Sequence, residues 1–227
     1  SANIGPFDRR DSNSNNWNVE LIAKLTDPNG VAQPITTGVR IEIDQNNNVD
    51  RYLFVGTGKL LDQPDLTDTS IVNTMYVIRD GTRTAPDPAP SPPYSRADLN
   101  SVNGASIAGF SGSATGRGWY QDASSPDQKI VHDVYADVQV AVYAFSYPSS
   151  DPCLGSLSSK LFARDMATGN SVLESSASGS GGSLVASIEI VAGIAGFSLI
   201  QAEPTPPNYS PPVQVQVTTQ RGQVFTF

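Results

Sequence analysis

Oxygen-bearing side chains alternate along Asp44-Gln45-Asn46-Asn47-Asn48-Val49-Asp50. Positions 44, 46, 48 and 50 could each offer one oxygen to a hard cation, which is the spacing of the first half of a calcium loop. Asp44, Asn46, Asn48 and Asp50 are therefore the candidate metal ligands, and calcium is the candidate cofactor. The loop departs from an EF-hand at its sixth position, Val49 where Gly is required, and at its twelfth, Val55 where a bidentate Glu is required. With two carboxylates, weak affinity is expected. The competing reading is a polar turn between apolar strands at 39–43 and 52–55, and the missing ligands favour it.

Other residues capable of chemistry have equally plain competitors. Asp62, Asp65 and Asp68 recur every third residue. On a helix they would share a face and could hold a cation or act as acid and base. Pro64 and the threonines at 67 and 69 point instead to a capped turn. Gly56-Thr57-Gly58-Lys59 resembles part of a phosphate loop, but that loop needs Ser or Thr after the Lys and Gly six positions before it. Leu60 and Leu53 stand there, so a tight inter-strand turn is expected. His132 is the single histidine and Cys153 the single cysteine. A His/Cys zinc site is thereby excluded, as is a disulfide within the sequence. No G-x-S-x-G elbow accompanies His132, which reads as a structural histidine beside Asp133. Trp17, Trp119 and Tyr120 could stack on sugars, but the Gly118-Trp119-Tyr120 phrase reads better as an aromatic packed between sheets. No catalytic residue is assigned.

Composition sets the class of scaffold. In 227 residues, 38% are hydrophobic and only 16% charged, with 19 Gly and 17 Pro. That balance favours short strands and turns. The formal net charge of −8 comes with no dense basic patch, so nucleic acid is not an expected partner. The longest apolar run, 184–200, is broken by Ser187, Glu189, Gly193, Gly196 and Ser198, so no membrane span is expected. The first ten residues hold no apolar signal-peptide core. Any export signal is expected to lie outside the sequence.

Twelve strands are expected, at 19–25, 39–43, 52–55, 74–79, 118–122, 129–132, 134–147, 160–165, 185–190, 194–201, 213–219 and 223–227. Several alternate apolar with polar side chains, as half-buried strands do. The 134–147 segment instead carries β-branched and aromatic residues with little interruption, and reads as one long strand. The strands fall into groups 19–79, 118–165 and 185–227, each with about the content of one propeller blade. Pro- or Gly/Ser-rich surface loops are expected at 85–93, 175–183 and 203–212. None of them divides the chain, so residues 1–227 read as part of one domain. The phrase from Leu161 to Leu173, with Asp165 followed by Thr168-Gly169, fits a turn joining strands of a blade. The fold class is all-β, a modified β-propeller of which this chain supplies about three blades.

Several phrases in this order resemble the C-terminal domain of the type IV pilus tip-associated adhesins, the PilY/PilC family. They are Asp27-Pro28-Asn29-Gly30 followed by Gln33-Pro34-Ile35-Thr36, then Phe54-Val55-Gly56-Thr57-Gly58-Lys59, then the segment from Asp65 to Asp80. Gly118-Trp119-Tyr120, Asp151-Pro152-Cys153 and the stretch from Asp165 to Gly169 continue the series. The resemblance implies a non-enzymatic β-propeller at the C-terminal end of a longer protein, exported through the periplasm of a Gram-negative bacterium to the pilus tip or cell surface. It implies roles in pilus biogenesis, extension and retraction control, and adhesion. The implied partners are minor pilins, the pilus tip complex, and a host or abiotic surface. The family also carries an Asp/Asn-rich calcium loop, for which the 44–50 stretch is the counterpart in chemistry. Arg96-Ala97-Asp98 does not supply an Arg-Gly-Asp adhesion tripeptide. Two rival readings remain from other classes: a quinoprotein-type propeller enzyme, motivated by Asp165-x-x-Thr168-Gly169, and an exported carbohydrate-binding β domain.

Overall fold

A computed structural model describes residues 21–44, 50–82, 92–110, 117–149, 157–175, 183–201 and 213–227. Within these residues the protein is all-β, with three sheets, none of them closed, in a partial propeller-like arrangement. The strands are β1 (Arg40–Ile43), β2 (Asp50–Gly56), β3 (Thr74–Thr82), β4 (Asn100–Ser101), β5 (Gly118–Asp122) and β6 (Tyr135–Asp137). They continue with β7 (Val140–Pro148), β8 (Leu157–Asp165), β9 (Ile188–Ile190), β10 (Ile194–Gln201), β11 (Val213–Thr219) and β12 (Val224–Thr226). The first sheet has the order β1-β2-β3-β5-β4, the second β6-β7-β8-β9 and the third β10-β11-β12.

The second sheet lies between two cores, and its strands show it. Along β7, Ala141, Tyr143 and Phe145 join the core shared with the first sheet. Val140, Val142 and Ala144, on the other face, join the core shared with the third. A strand buried on both faces has no solvent side, so its sequence runs apolar without alternation. β3 is built in the same way. Met75 and Val77 face the second sheet, while Tyr76 and Ile78 pack under Tyr94, Leu99 and the Ile22–Leu25 segment. β11 is covered on one face only, with Val215 and Val217 inward, and it keeps the alternation its sequence announces.

Four sequence expectations change. The segment 134–147 is a hairpin, β6–β7, closed by Val138 and Gln139 with Asp137 paired to Val140. Both turn residues have positive φ, 47° and 67°, as a two-residue turn of the primed type requires. Neither is a usual turn former, so nothing in the local sequence marks the break. β5 pairs with β3 and belongs to the first sheet, and β9 pairs with β8 and belongs to the second. The three groups drawn along the sequence are therefore displaced by one strand at each boundary, because strand pairing follows the cores and not proximity in sequence. The 129–132 strand reduces to one bridge, Lys129 to Ser146, and residues 22–26 make only isolated bridges. The connector loops at 85–93, 175–183 and 203–212 lie mostly outside the described residues.

Trp119 joins the first two sheets. It is fully buried, its indole Nε1 donates to the Met166 carbonyl at 2.9 Å, and its ring faces Tyr143 at 6.4 Å. This is the inter-sheet packing its phrase predicted. Met166 follows Asp165, whose Oδ1 accepts from the N–H groups of Ala167 and Thr168 and from the Thr168 hydroxyl. The Asp-x-x-Thr-Gly phrase is thus a turn with its N–H groups satisfied, on which a neighbouring sheet's tryptophan sits.

Trp119→Phe removes the indole donor and leaves a buried carbonyl unpaired. The expected loss is about 1–3 kcal/mol, read as a lowered midpoint in urea unfolding. Val138→Asn places a residue tolerant of positive φ at the hairpin tip, and a gain of about 1 kcal/mol is expected in the same assay.

Candidate functional site

The Gly-Thr-Gly-Lys phrase ends β2 at a crossing of three segments. Thr57 exchanges bonds with Thr74: its backbone N–H and hydroxyl donate to the Thr74 carbonyl, and its Oγ1 accepts the Thr74 N–H at 2.7 Å. The Thr57 carbonyl then accepts from Ile130, and Gly58 donates to the Pro34 carbonyl. The Thr36 hydroxyl returns a bond to the Gly58 carbonyl at 2.9 Å. Gly58 has φ +146°, and a Cβ there would stand 2.8 Å from the Ile130 nitrogen. A side chain is thus excluded by both conformation and space. The phrase is an architectural turn, as its failed match to a phosphate loop implied.

The acidic loop behind it is a capped turn. A short 3-10 segment, Gln63–Leu66, carries Asp65 as its third residue. The Asp65 carboxylate accepts the N–H groups of Leu61 and Asp62 and pairs with Lys59 at 2.8 Å. Lys59 first, then these N–H groups, hold the Asp65 carboxyl down to about 2. Asp68 accepts the Ser70 N–H at 2.9 Å. The three acids do not converge: among the described residues no three His, Cys, Asp or Glu side chains gather as a metal site.

These segments enclose a pocket of about 420 Å³. Ala32, Pro34 and Ile71 form its apolar wall, with Lys59, Asp68, Asn73 and Lys129 around them. Lys129 is only 7% exposed. Its ammonium donates to the main-chain carbonyls of Asp68 (2.8 Å) and Asp127 (3.4 Å), and among the described residues it forms no ion pair. Desolvation lowers its pKa. Sequence reading passed over Lys129. The available signal was a lone lysine inside the apolar 129–132 stretch.

The calcium candidates divide. Asn46 and Asn48 lie outside the described residues. Asp44 is buried, and its N–H donates to the Asp50 carbonyl, closing the β1–β2 connection. Asp50 sits 3.8 Å from the Arg79 guanidinium. Burial first, then the charges of Asp50 and Asp44, raises the pKa of Tyr52, so both acids contribute to a negative field at this end of the sheet. The contacts of Asp44 and Asp50 supply no test of calcium.

The remaining candidates lie apart from this pocket or outside the described residues. His132 is half-buried and desolvation lowers its pKa. The Asp133 carboxylate accepts the Gly38 N–H, and no serine lines the hollow beside His132, so no triad is assembled there. Arg96 makes a two-pronged pair with Asp122 at 2.9 and 2.7 Å and lies 4.0 Å over the Tyr120 ring. Its Nη1 also reaches the Tyr76 hydroxyl, which in turn donates to Gln33. Arg96, Tyr120 and the Gln33-Pro34 phrase are thus joined in one polar network beneath the 92–99 segment. Trp17 and Cys153 lie outside the described residues.

Comparison with solved structures places this architecture. The crystal structure of the Pseudomonas aeruginosa PilY1 C-terminal domain superposes with a TM-score of 0.62, at 20% identity, over 90% of this chain and 47% of that one. The fold is PilY1-like. No protein-family model matches the sequence, and no curated protein sequence matches it. At this identity the likeness concerns the fold, and the chain spans about half the length of the solved domain.

The Lys59–Asp65 pair carries a pH signature. Asp65 has a folded pKa of about 2 against an ordinary 3.8. A depressed carboxyl stabilises the fold fully above its unfolded pKa and loses that contribution as pH falls through the folded one. The protein is therefore expected to lose stability from about pH 4 down to about pH 2. Asp65→Asn should be less stable than wild type at pH 7, with the two midpoints converging at the acid end of a urea-unfolding series.

Proposed function

We propose that this chain is a non-enzymatic segment of the type IV pilus machinery, acting by binding at the pilus tip or outer cell surface. The observation that carries this reading is the PilY1-like fold over 90% of the chain, joined to the ordered phrases that resemble the PilY/PilC adhesins. The phrases are structurally connected: Gln33-Pro34-Ile35-Thr36 seats the Gly56–Lys59 turn, and Trp119 seats on the Asp165 turn. Sequence phrases that bond to one another support a shared scaffold better than isolated matches do.

The sheets provide a rigid frame, and the connecting loops at their ends present variable surface to partners. The proposed partners are minor pilins, the tip complex and a host or abiotic surface. The proposed location is extracellular or at the outer membrane, reached through the periplasm. No helix among the described residues is long and apolar enough to cross a membrane. Calcium at Asp44, Asn46, Asn48 and Asp50 belongs to the same proposal.

The test is replacement of the gene for the full-length protein by one lacking the segment coding for these 227 residues. Loss of surface pili, twitching or attachment is expected. Normal pilus number, motility and attachment would sink the reading. For calcium, thermal unfolding in excess calcium and in chelator should differ for the wild type and coincide for Asp44→Ala/Asp50→Ala. Coincident wild-type curves would remove calcium from the proposal.

A further inference from the structure

The pocket behind the Gly56–Lys59 turn contains a buried ammonium with no carboxylate in ion-pair contact among the described residues; Asp68, Asp127 and Asp65 act on it only from farther away. Buried charges are ordinarily paired, because an ammonium taken out of water loses far more than one or two carbonyl bonds return. Lys129 is 7% exposed, and its described partners are two main-chain carbonyls. Lys59 stands at the same pocket, its charge shared with Asp65 but its side chain 44% exposed. Asn73 is held from behind, its side-chain amide donating a hydrogen bond to the Gln128 carbonyl. Gln33 is fixed by the Val72 carbonyl and the Thr74 and Tyr76 hydroxyls. The polar rim is therefore rigid before any ligand arrives, which lowers the ordering cost of binding.

We propose that this pocket receives a carboxylate from a polypeptide partner, presented on an apolar stem and seated between Lys59 and Lys129 against Ala32, Pro34 and Ile71. Three features select that chemistry. Two lysines provide point charges and no planar fork, so they accept an anion without demanding two-pronged geometry. Asp65, Asp68 and Asp127 close to Lys129 disfavour a dianion such as phosphate, leaving a monoanion as the better match. The apolar wall, with Ile71 only partly covered, favours a ligand with a hydrocarbon body next to its charge. A glutamate side chain among apolar neighbours and the terminal carboxylate of a polypeptide share this chemistry. The inference stands on the pocket alone and does not depend on the pilus assignment.

Isotope-labelled full-length protein titrated with sodium hexanoate tests it directly by NMR. Saturable shifts are expected at Ala32, Ile71 and the Lys129 side chain, together with a rise in the Lys129 pKa on binding. Lys129→Met should abolish the shifts, and Lys59→Gln should weaken binding by about tenfold. Lys129→Met keeps the length of the side chain and removes its charge, and urea unfolding checks that the variant folds. If it does not fold, Lys59→Gln and the Lys129 pKa still decide the matter. Equal binding of hexanol, equal binding of inorganic phosphate, or an unchanged Lys129 pKa would each overturn the proposal. A blocked leucyl-glutamyl-leucine amide and an acetylated leucyl-leucine with a free terminal carboxylate separate the two sources. Displacement of hexanoate by one of them identifies which it is, and displacement by neither refutes a polypeptide ligand.

Discussion

A sheet buried on both faces has nowhere to put a polar side chain except into a bond, and the second sheet imposes that constraint on everything around it. Tyr143 and Phe162 stack at 5.2 Å, with Phe145 edge-on to both, and this aromatic layer meets the first sheet. Most polar groups of the layer are bonded, while the buried Nε of Arg164 has no hydrogen-bond partner among the described residues. The Tyr143 hydroxyl donates to Gln121, and the Ser146 and Ser159 hydroxyls pair across β7 and β8 at 3.2 Å. Arg164, fully buried, spends its two terminal nitrogens on the carbonyls of Gly169, Asn103 and Ser106. Each of the Tyr143 and Arg164 bonds reaches out of the strand to a neighbouring segment, so satisfying the middle sheet fixes the positions of the loops beside it.

The same requirement explains why phrases distant in sequence meet. The Asp165 turn must close beneath Trp119, because Trp119 needs an acceptor for its buried indole N–H. The Gly56–Lys59 turn must pass close to Ile130, so both of its glycines face that residue with no room for a Cβ. The pocket carrying Lys129 is a by-product of that close passage. Two backbones approach, the 32–34 segment is pulled in by the Pro34 carbonyl, and a lysine between them has main-chain carbonyls as its hydrogen-bond partners. A PilY1-like scaffold built in this way places its chemically distinctive residues at loop crossings and leaves the strands to packing.

Much of the scaffold was legible because its signals are local. β1, β2, β3, β5, β10 and β11 were read from apolar runs and turn residues, three of them (β5, β10 and β11) to the residue. The capped reading of Asp62–Asp68 followed from Pro64 and the hydroxyl residues, and the glycine turn from the residues a phosphate loop lacks. The β6–β7 hairpin was not legible, since Val138 and Gln139 adopt left-handed backbone without the residue types that advertise it. The pocket was not legible either. Its contributors are spread from Ala32 to Lys129, and no spacing rule connects them.

By itself the sequence determined the class of the protein: all-β, acidic and loop-rich, with short apolar strands and no enzyme signature. It determined this because periodicity, turn chemistry and charge balance act over a few residues. Tertiary structure alone decided which strands share a sheet, that β5 returns to β3, and that the buried Lys129 hydrogen-bonds to main-chain carbonyls. Those outcomes depend on contacts between segments tens of residues apart, where the free energy lies in jointly buried surface and in the pairing of buried polar groups. A lysine reads the same in any sequence. Only the segments that close around it determine whether its charge is solvated, paired or left for a ligand.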